Sequence, residues 1–237
     1  MLIPDKKHKS WDSFLSDEIA QMLNEIESNL TDDYNPTSPE NILRFLTIDL
    51  NKVNVIWLGQ DVYPAEGVAT GRSFEVGGLE NWNTPFRQVS LKNIVRLIHK
   101  THFGITDYKN IMKFQDIQKE INLGIFPILQ PNTWFNSLEE QGVLFLNTSF
   151  TCEIGRANSH KKIWENFSRK VITHISSVKP DVVWFLWGKE AISNKEYIQK
   201  GILFESRHPM MCSEKYDDDF LKSYCFKATM ETINWLG

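Results

Sequence analysis

Apolar residues follow two rhythms along this chain. Trp11, Phe14, Leu15, Ile19, Leu23 and Ile26 recur at three- and four-residue steps, which predicts an amphipathic helix from Ser10 to about Leu30 with Ser10 as its N-cap. The turn-forming stretch Thr31–Pro39 reads as a loop, and Glu40–Ile48 as a short helix after it. Ile163, Trp164, Phe167, Val171, Ile175 and Val178 share one stripe and predict a helix over Ser159–Val178; another is expected from about Phe220 to Leu236. The second rhythm consists of short continuous runs: Val53–Leu58, Val143–Leu146, Val182–Trp187 and Ile202–Phe204. Each has the length of a strand buried on both faces, and helical patterns lie between them. The expectation is an α/β fold with a central, mostly parallel four-stranded sheet flanked by helices.

The ends of these runs hold the candidate chemistry. The first leads into Gly59-Gln60-Asp61, the second into Asn147, the third into Gly188 and the fourth into Ser206-Arg207-His208. Open parallel sheets bind ligands outside the carboxyl ends of their strands. If all four runs are parallel, a carboxylate, an amide and an imidazole converge there despite their separation in sequence. Taken singly, each has a plainer reading: Asp61 and Asn147 as caps or turn residues, and His208, before Pro209, as a satisfied buried histidine.

Composition narrows the choice. At 237 residues with 41% hydrophobic and 24% charged side chains, the chain is ordinary globular material, read as a single domain over residues 1–237. A net charge of −4 argues against a generic polybasic nucleic-acid or membrane binder, but leaves room for a local basic groove. Cys152, Cys212 and Cys225 are odd in number and form no CxxC pair, so no disulfide framework is implied and a reducing compartment fits. No run has the roughly 18 apolar residues of a membrane span, and the amino terminus lacks a secretory pattern. A soluble protein is expected, cytoplasmic if bacterial, with a nuclear or viral-factory setting left open. Dinucleotide, P-loop, nucleophile-elbow and zinc-protease or zinc-deaminase patterns are missing. His99 and His102 lack a third ligand nearby and read as surface or core residues. No metal or cofactor is expected.

Gly59-Gln-Asp-Val-Tyr-Pro64 resembles the water-activating Gly-Gln-Asp-Pro-Tyr-His segment of family 1 uracil-DNA glycosylases. The similarity continues, in the family's order, through Gly71-Arg-Ser-Phe-Glu-Val76, Gln141-Gly-Val-Leu-Phe-Leu-Asn-Thr148, Ala157-Asn-Ser-His-Lys161, Val183-Trp-Phe-Leu-Trp-Gly188 and His208-Pro209. The resemblance implies a cofactor-free hydrolase that releases free uracil from DNA and leaves an abasic site, the first step of base excision repair. Asp61 would orient or activate water and His208 would stabilise the departing base. Asn147 would read the uracil edge, Phe74 would stack on it, Tyr63 would leave no room for a thymine methyl, and the Gln60 backbone would help to bind the base. That assignment suits the reaction, because N-glycosidic cleavage puts positive charge on the sugar and negative charge on the base. The base must first leave the stack.

For DNA contact the resemblance implies Ser90, Lys189 beside Gly188, and the segment Met211-Cys212-Ser213, with Met211 rather than Cys212 as the wedge into the base stack. Lys161 and Lys162 open a helix at the end that disfavours cations, which a phosphate partner or a solvated helix end would equally explain. Val62 and Pro64 depart from the family's proline and histidine. Val62, with Cys212 and the acidic run Asp217–Asp219, motivates an alternative, a catalytically weak paralogue that binds DNA or a protein partner; a glycosylase for another damaged base is a further alternative. The acidic run also predicts weak, salt-sensitive DNA binding. Single- or double-stranded uracil-containing DNA is the expected partner. A proteinaceous inhibitor or replication partner is left open, no membrane partner is expected, and the family resemblance suggests a monomer.

Overall fold

The computed structural model describes residues 2–30 and 33–237. Its centre is a sheet of strands β1 (Val55–Gly59), β2 (Val143–Asn147), β3 (Val183–Trp187) and β4 (Ile202–Ser206), in the order β2-β1-β3-β4 with every pairing parallel. The expected runs therefore become strands within one or two residues of their predicted limits, and the last extends two residues further, to Ser206. All residues of β1 and β2 are buried, whereas β4 lies at an edge and is partly exposed.

Period-two alternation divides the strand side chains between two cores. Trp57, Phe145, Phe185 and Trp187 face one side, against helices α2 (Val89–His102), α3 (Phe114–Asn122) and α4 (Pro131–Glu140) and the carboxyl-terminal segment. Ile56, Leu58, Leu144, Leu146, Trp184 and Leu186 face the other, against α1 (Asp17–Asn29) and α5 (Lys161–Val178). Helices on both faces of a parallel sheet explain why its strands read as unbroken apolar runs.

Three expectations about helices are corrected. The first helix starts at Asp17 and its N-cap is Ser16, whose hydroxyl accepts from the Ile19 amide at 3.4 Å. Ser10 instead lies in a 3-10 turn, Lys9–Trp11, and accepts from the Leu50 amide at 2.9 Å. The apolar spacing of Trp11 and Phe14 continues that of α1 without continuing its backbone. The stretch Glu40–Ile48 divides into a helical turn, Pro39–Ile42, and a 3-10 turn, Arg44–Thr47. The closing helix is also divided, into Phe220–Lys222 and Cys225–Thr229, followed by turns. Beyond Thr229 the backbone bonds elsewhere: Trp235 O accepts from the Trp134 indole and Leu236 O from the Leu129 amide, each at 2.8 Å.

Of the loop expected over Thr31–Pro39, Thr31 and Asp32 lie outside the described residues. Tyr34–Asn35 pairs antiparallel with Cys152–Glu153, so a loop expected to be free of strands joins a two-stranded ribbon. Among the described residues no helix is long and apolar enough to cross a membrane.

Candidate active site

The carboxyl ends of the strands open into a cleft of about 340 Å³. Gly59 of β1 and Asn147 of β2 are register partners at its floor. A Cβ on Gly59 would lie 2.4 Å from Asn147 Oδ1 and 2.7 Å from Ser73 Cβ. Glycine here makes room for the Asn147 carboxamide, which is 3% exposed and receives no protein hydrogen bond among the described residues. A buried amide left without an internal partner is poised for a ligand that offers both an acceptor and a donor.

Past Gly59 the chain forms a loop fastened on several sides. Gln60 O accepts from the Ser149 amide at 3.0 Å and the Thr148 hydroxyl at 2.9 Å. The Asn35 carboxamide donates to Tyr63 O at 2.8 Å and Ala65 O at 3.0 Å, and the Gly155 amide donates to Pro64 O at 2.9 Å. Val62, where the family has proline, is buried with Ala69 and Cys152. Proline would restrict this backbone through its ring; here hydrogen bonds to flanking carbonyls and a buried side chain restrain it from outside.

Asp61 projects from this loop into the cleft. Its Oδ2 accepts from the Asn158 amide, while Oδ1 is buried with no hydrogen-bond partner among the described residues. Burial pushes the carboxyl above its usual range, and the Asn158 amide, the Ser149 hydroxyl and the Val62 amide offset part of that rise. Asn158 itself has φ of 63°, uncommon for a residue other than glycine, and its side chain accepts from Gln60 Nε2 at 2.7 Å. In the sequence it stands only within the matching block Ala157–Lys161. Its left-handed backbone, which directs the amide at Asp61, is a feature of the folded loop.

His208 follows β4 by two residues and lines the same cleft. Its Nδ1 accepts from the Met210 amide at 3.2 Å. That assigns the ring proton to Nε2, and burial lowers the imidazole pKa, so the ring is neutral at pH 7 with one N–H to donate. Phe74 lines the cleft with its ring 5.5 Å from Trp187 and 6.3 Å from His208, centroid to centroid. Its φ is 66°, a strained conformation for an aromatic residue.

The flanks of Phe74 hold that conformation. Ser73 Oγ donates to Trp57 O at 2.9 Å. Arg72, buried, bonds both oxygens of Glu139 at 2.8 and 2.7 Å, Glu75 Oε1 at 3.0 Å and Asn136 Oδ1 at 2.8 Å. Arg44 reaches Glu139 as well, at 2.9 Å. This network escaped sequence reasoning because its members are distributed over almost 100 positions and none of them forms a local pattern. Tyr63 packs beside Phe74, with its hydroxyl 3.5 Å from Phe74 O, and burial raises its phenol pKa.

The cleft thus brings together Gln60, Asp61, Tyr63, Phe74, Ser90, Asn147, Lys189 and His208. Met211, Cys212 and Ser213 are not among its lining. Met210 and Met211 are both exposed beyond it, 58% and 61%. Cys212 turns inward: its Sγ lies 3.3 Å from Pro209 O, and burial pushes its thiol up to about 12. The Ser213 amide donates to Asp219 Oδ2 at 2.6 Å. Asp219 is buried and also accepts from Tyr108 Oη at 3.1 Å, while Asp218 pairs with Arg207 at 2.7 Å. Of the acidic run only Asp219 is committed to internal partners; Asp217 and Asp218 stay exposed, Asp218 in a surface ion pair. Lys161 pairs with Glu190 on the cleft rim, and Lys162, also exposed, makes no ion pair among the described residues. Among the described residues no cluster of three His, Cys, Asp or Glu side chains is placed to hold a metal ion. His99 is buried and bonds Glu120 at 2.7 Å, a packing role.

Residues 47–232 match the family model of the uracil DNA glycosylase superfamily. A uracil-DNA glycosylase of Clostridium beijerinckii is 36% identical over 194 residues, covering 78% of this chain and 74% of that protein. One from Francisella philomiragia is 32% identical and covers 84% of each chain. Among solved structures, the wild-type UNG of Nitratifractor salsuginis superposes with a TM-score of 0.68 at 19% identity, covering 87% of this chain and 85% of that one. The mimivirus uracil-DNA glycosylase gives 0.64 at 21% identity, covering 88% and 70%.

Proposed function

The chain belongs to the uracil DNA glycosylase superfamily, and we propose from that premise how its cleft performs the reaction. The activity is hydrolysis of the N-glycosidic bond of deoxyuridine in DNA, releasing uracil and leaving an abasic site. In our reading the uridine is extruded from its stack into the 340 Å³ cleft. Phe74 stacks on the ring, and the Asn147 carboxamide donates to O4 and accepts from N3–H. A site built on such bonds rejects bases that would leave its polar atoms unpaired. Tyr63, held against Phe74, excludes a substituent at C5.

The C1′–N1 bond breaks with its electron pair going to the base. His208 Nε2–H donates to O2, where the negative charge accumulates, and the ring has no need to be cationic. Asp61 lies on the sugar side: its negative charge stabilises the developing oxocarbenium ion, and its Oδ1 orients a water whose oxygen bonds C1′ while its proton passes to the carboxylate. Preorganised groups facing both poles of a charge-separated transition state are worth several kcal/mol in a buried site.

The observation that carries this reading is the pairing, in one cleft, of a neutral imidazole with a fixed Nε2–H and a carboxylate with a free buried oxygen. The experiment is release of free uracil from a uracil-containing oligonucleotide, with Asp61→Asn and Asn147→Asp beside the wild type. Wild-type release no greater than that of Asp61→Asn would remove the proposed role of the carboxylate. The alternative of a catalytically weak paralogue that binds DNA or a protein partner rests on Val62, Cys212 and the acidic run. Val62 and Cys212 are turned inward, Asp219 is bonded within the fold, and Asp218 is paired with Arg207 at the surface.

A further inference from the structure

A second groove, of about 620 Å³, lies on the other side of the first turn of α2. Ser90 lines the cleft, whereas Val89, Lys92 and Asn93 line the groove. Ser90 and Asn93 are about 5 Å apart along the helix axis. The Asn93 carboxamide also donates to Pro209 O, so the wall between groove and cleft is tied to the segment that carries His208.

The groove is cationic in a chain of net charge −4. Lys92, Arg96 and Lys113 line it, and no acidic residue does. Lys92 makes no ion pair among the described residues; its Nζ sits 4.8 Å from the centre of the Phe86 ring. Arg96 bonds only neutral acceptors, Met112 O at 2.7 Å and Asn93 Oδ1 at 2.9 Å. The carboxylate acting on Lys113 is Asp116, which is already paired with Lys119 at 2.8 Å. Uncancelled cations beside a polar channel, one of them held in place by an aromatic face, form a receptor for a polyanion.

We propose that this groove binds the phosphodiester backbone of the strand flanking the extruded nucleotide, with Lys92 and Lys113 as phosphate contacts and Phe86 holding Lys92 in position. The proposal deepens the reading of the cleft above and rests on it for the identity of the strand. It also explains how an acidic chain holds DNA: a short, directed basic track takes the place of a broadly positive surface.

The test is binding of a fluorescein-labelled, uracil-free single-stranded 20-mer, followed by anisotropy from about 50 to about 200 mM NaCl. Lys92→Gln/Lys113→Gln is compared with Lys170→Gln/Lys179→Gln, which removes the same charge elsewhere. The groove variant is expected to lose about tenfold in affinity at 50 mM and to flatten the log–log salt slope by about 1.4, two single-strand phosphate contacts. The control variant should keep the wild-type slope. An unchanged slope in the groove variant, or equal flattening in both, overturns the proposal. So does loss of the difference between groove variant and wild type in millimolar inorganic phosphate regardless of oligonucleotide length, which would mark an isolated anion pocket. Because this measurement needs no turnover, a wild type that binds with the expected slope but releases no uracil would refute the reading of the cleft and leave the groove standing.

Discussion

Gly59→Ala places a single methyl group where the cleft has no room for one. Gly59 has no positive φ, so alanine fits its backbone, and the whole effect comes from the 2.4 Å approach to Asn147 Oδ1 and the 2.7 Å approach to Ser73 Cβ. Ordinary contact needs about 3.5 Å, so both neighbours must yield, Asn147 Oδ1 by about 1 Å and Ser73 Cβ by about 0.8 Å. Ser73 is anchored through its hydroxyl to Trp57 O at 2.9 Å, whereas the Asn147 carboxamide has no internal hydrogen bond. The amide therefore moves the further of the two, away from the position in which it would read the base. A misplacement of that size costs on the order of 100-fold in rate, or about 2.7 kcal/mol of transition-state stabilisation. Overpacking costs about 1–3 kcal/mol of stability, which lowers the melting temperature of a chain this size by roughly 2–12 °C. The assay is kcat/KM for uracil release, measured on Gly59→Ala, Asn147→Ala and the double variant. Because both act through one amide, the double variant should be no slower than Asn147→Ala alone. A Gly59→Ala enzyme within threefold of wild type, or full additivity in the double variant, would refute the argument.

Asp61→Asn should slow uracil release by at least about 100-fold and also raise the melting temperature at neutral pH. Its carboxyl is pushed up by burial, so the folded state binds its proton more readily than the unfolded state and the ionised form costs stability above that pKa. A lower melting point in Asp61→Asn contradicts this. In the wild type the acid limb of the rate profile should report a group titrating above the ordinary aspartate range. Nitrogen NMR of His208 should show an unprotonated Nδ1 and a neutral ring at pH 7; an imidazolium signal there would be incompatible with the proposed donor. Arg72→Met strips two carboxylates of a buried partner and should cost about 3 kcal/mol, or about 6–12 °C in melting temperature. Burial opposes ionisation of Glu139, but the Arg72 and Arg44 hydrogen bonds outweigh it and hold the carboxyl below its usual range. The stabilisation is therefore present at neutral pH and is lost as pH falls through that lowered pKa; a deficit that widens in acid would show the network is misread. Tyr63→Ala should release thymine as well as uracil, and an enzyme still blind to thymine would move the C5 gate to another residue.

What could be read in advance was whatever repeats locally. The four apolar runs predicted the sheet because strands covered on both faces leave no polar alternation, and the polar residues closing them, Asp61, Asn147 and His208, are brought to one edge by parallel pairing. The ordered motif blocks added Tyr63 and Phe74. Helix limits were less legible. Trp11 and Phe14 are spaced like helix residues because they face the same core as α1, and apolar spacing alone does not distinguish a helix from turns that bury the same side chains.

The tertiary structure decided how those residues are held and charged. Val62 reads as a lost constraint until Asn35, Thr148, Ser149 and Gly155 are seen gripping the carbonyls around it. In the segment expected to supply the wedge, the buried Asp219 ties down Ser213 and Cys212 turns inward, leaving Met210 and Met211 outside. The amino-acid sequence determined the sheet, the order of the polar strand ends and the chemical types gathered there, since these follow from periodicity and chain order. The strain at Phe74, the free oxygen of Asp61, the tautomer of His208 and the uncancelled charge of Lys92 depended on the fold, because each is set by neighbours that are remote in sequence or by a backbone conformation that no local pattern reports.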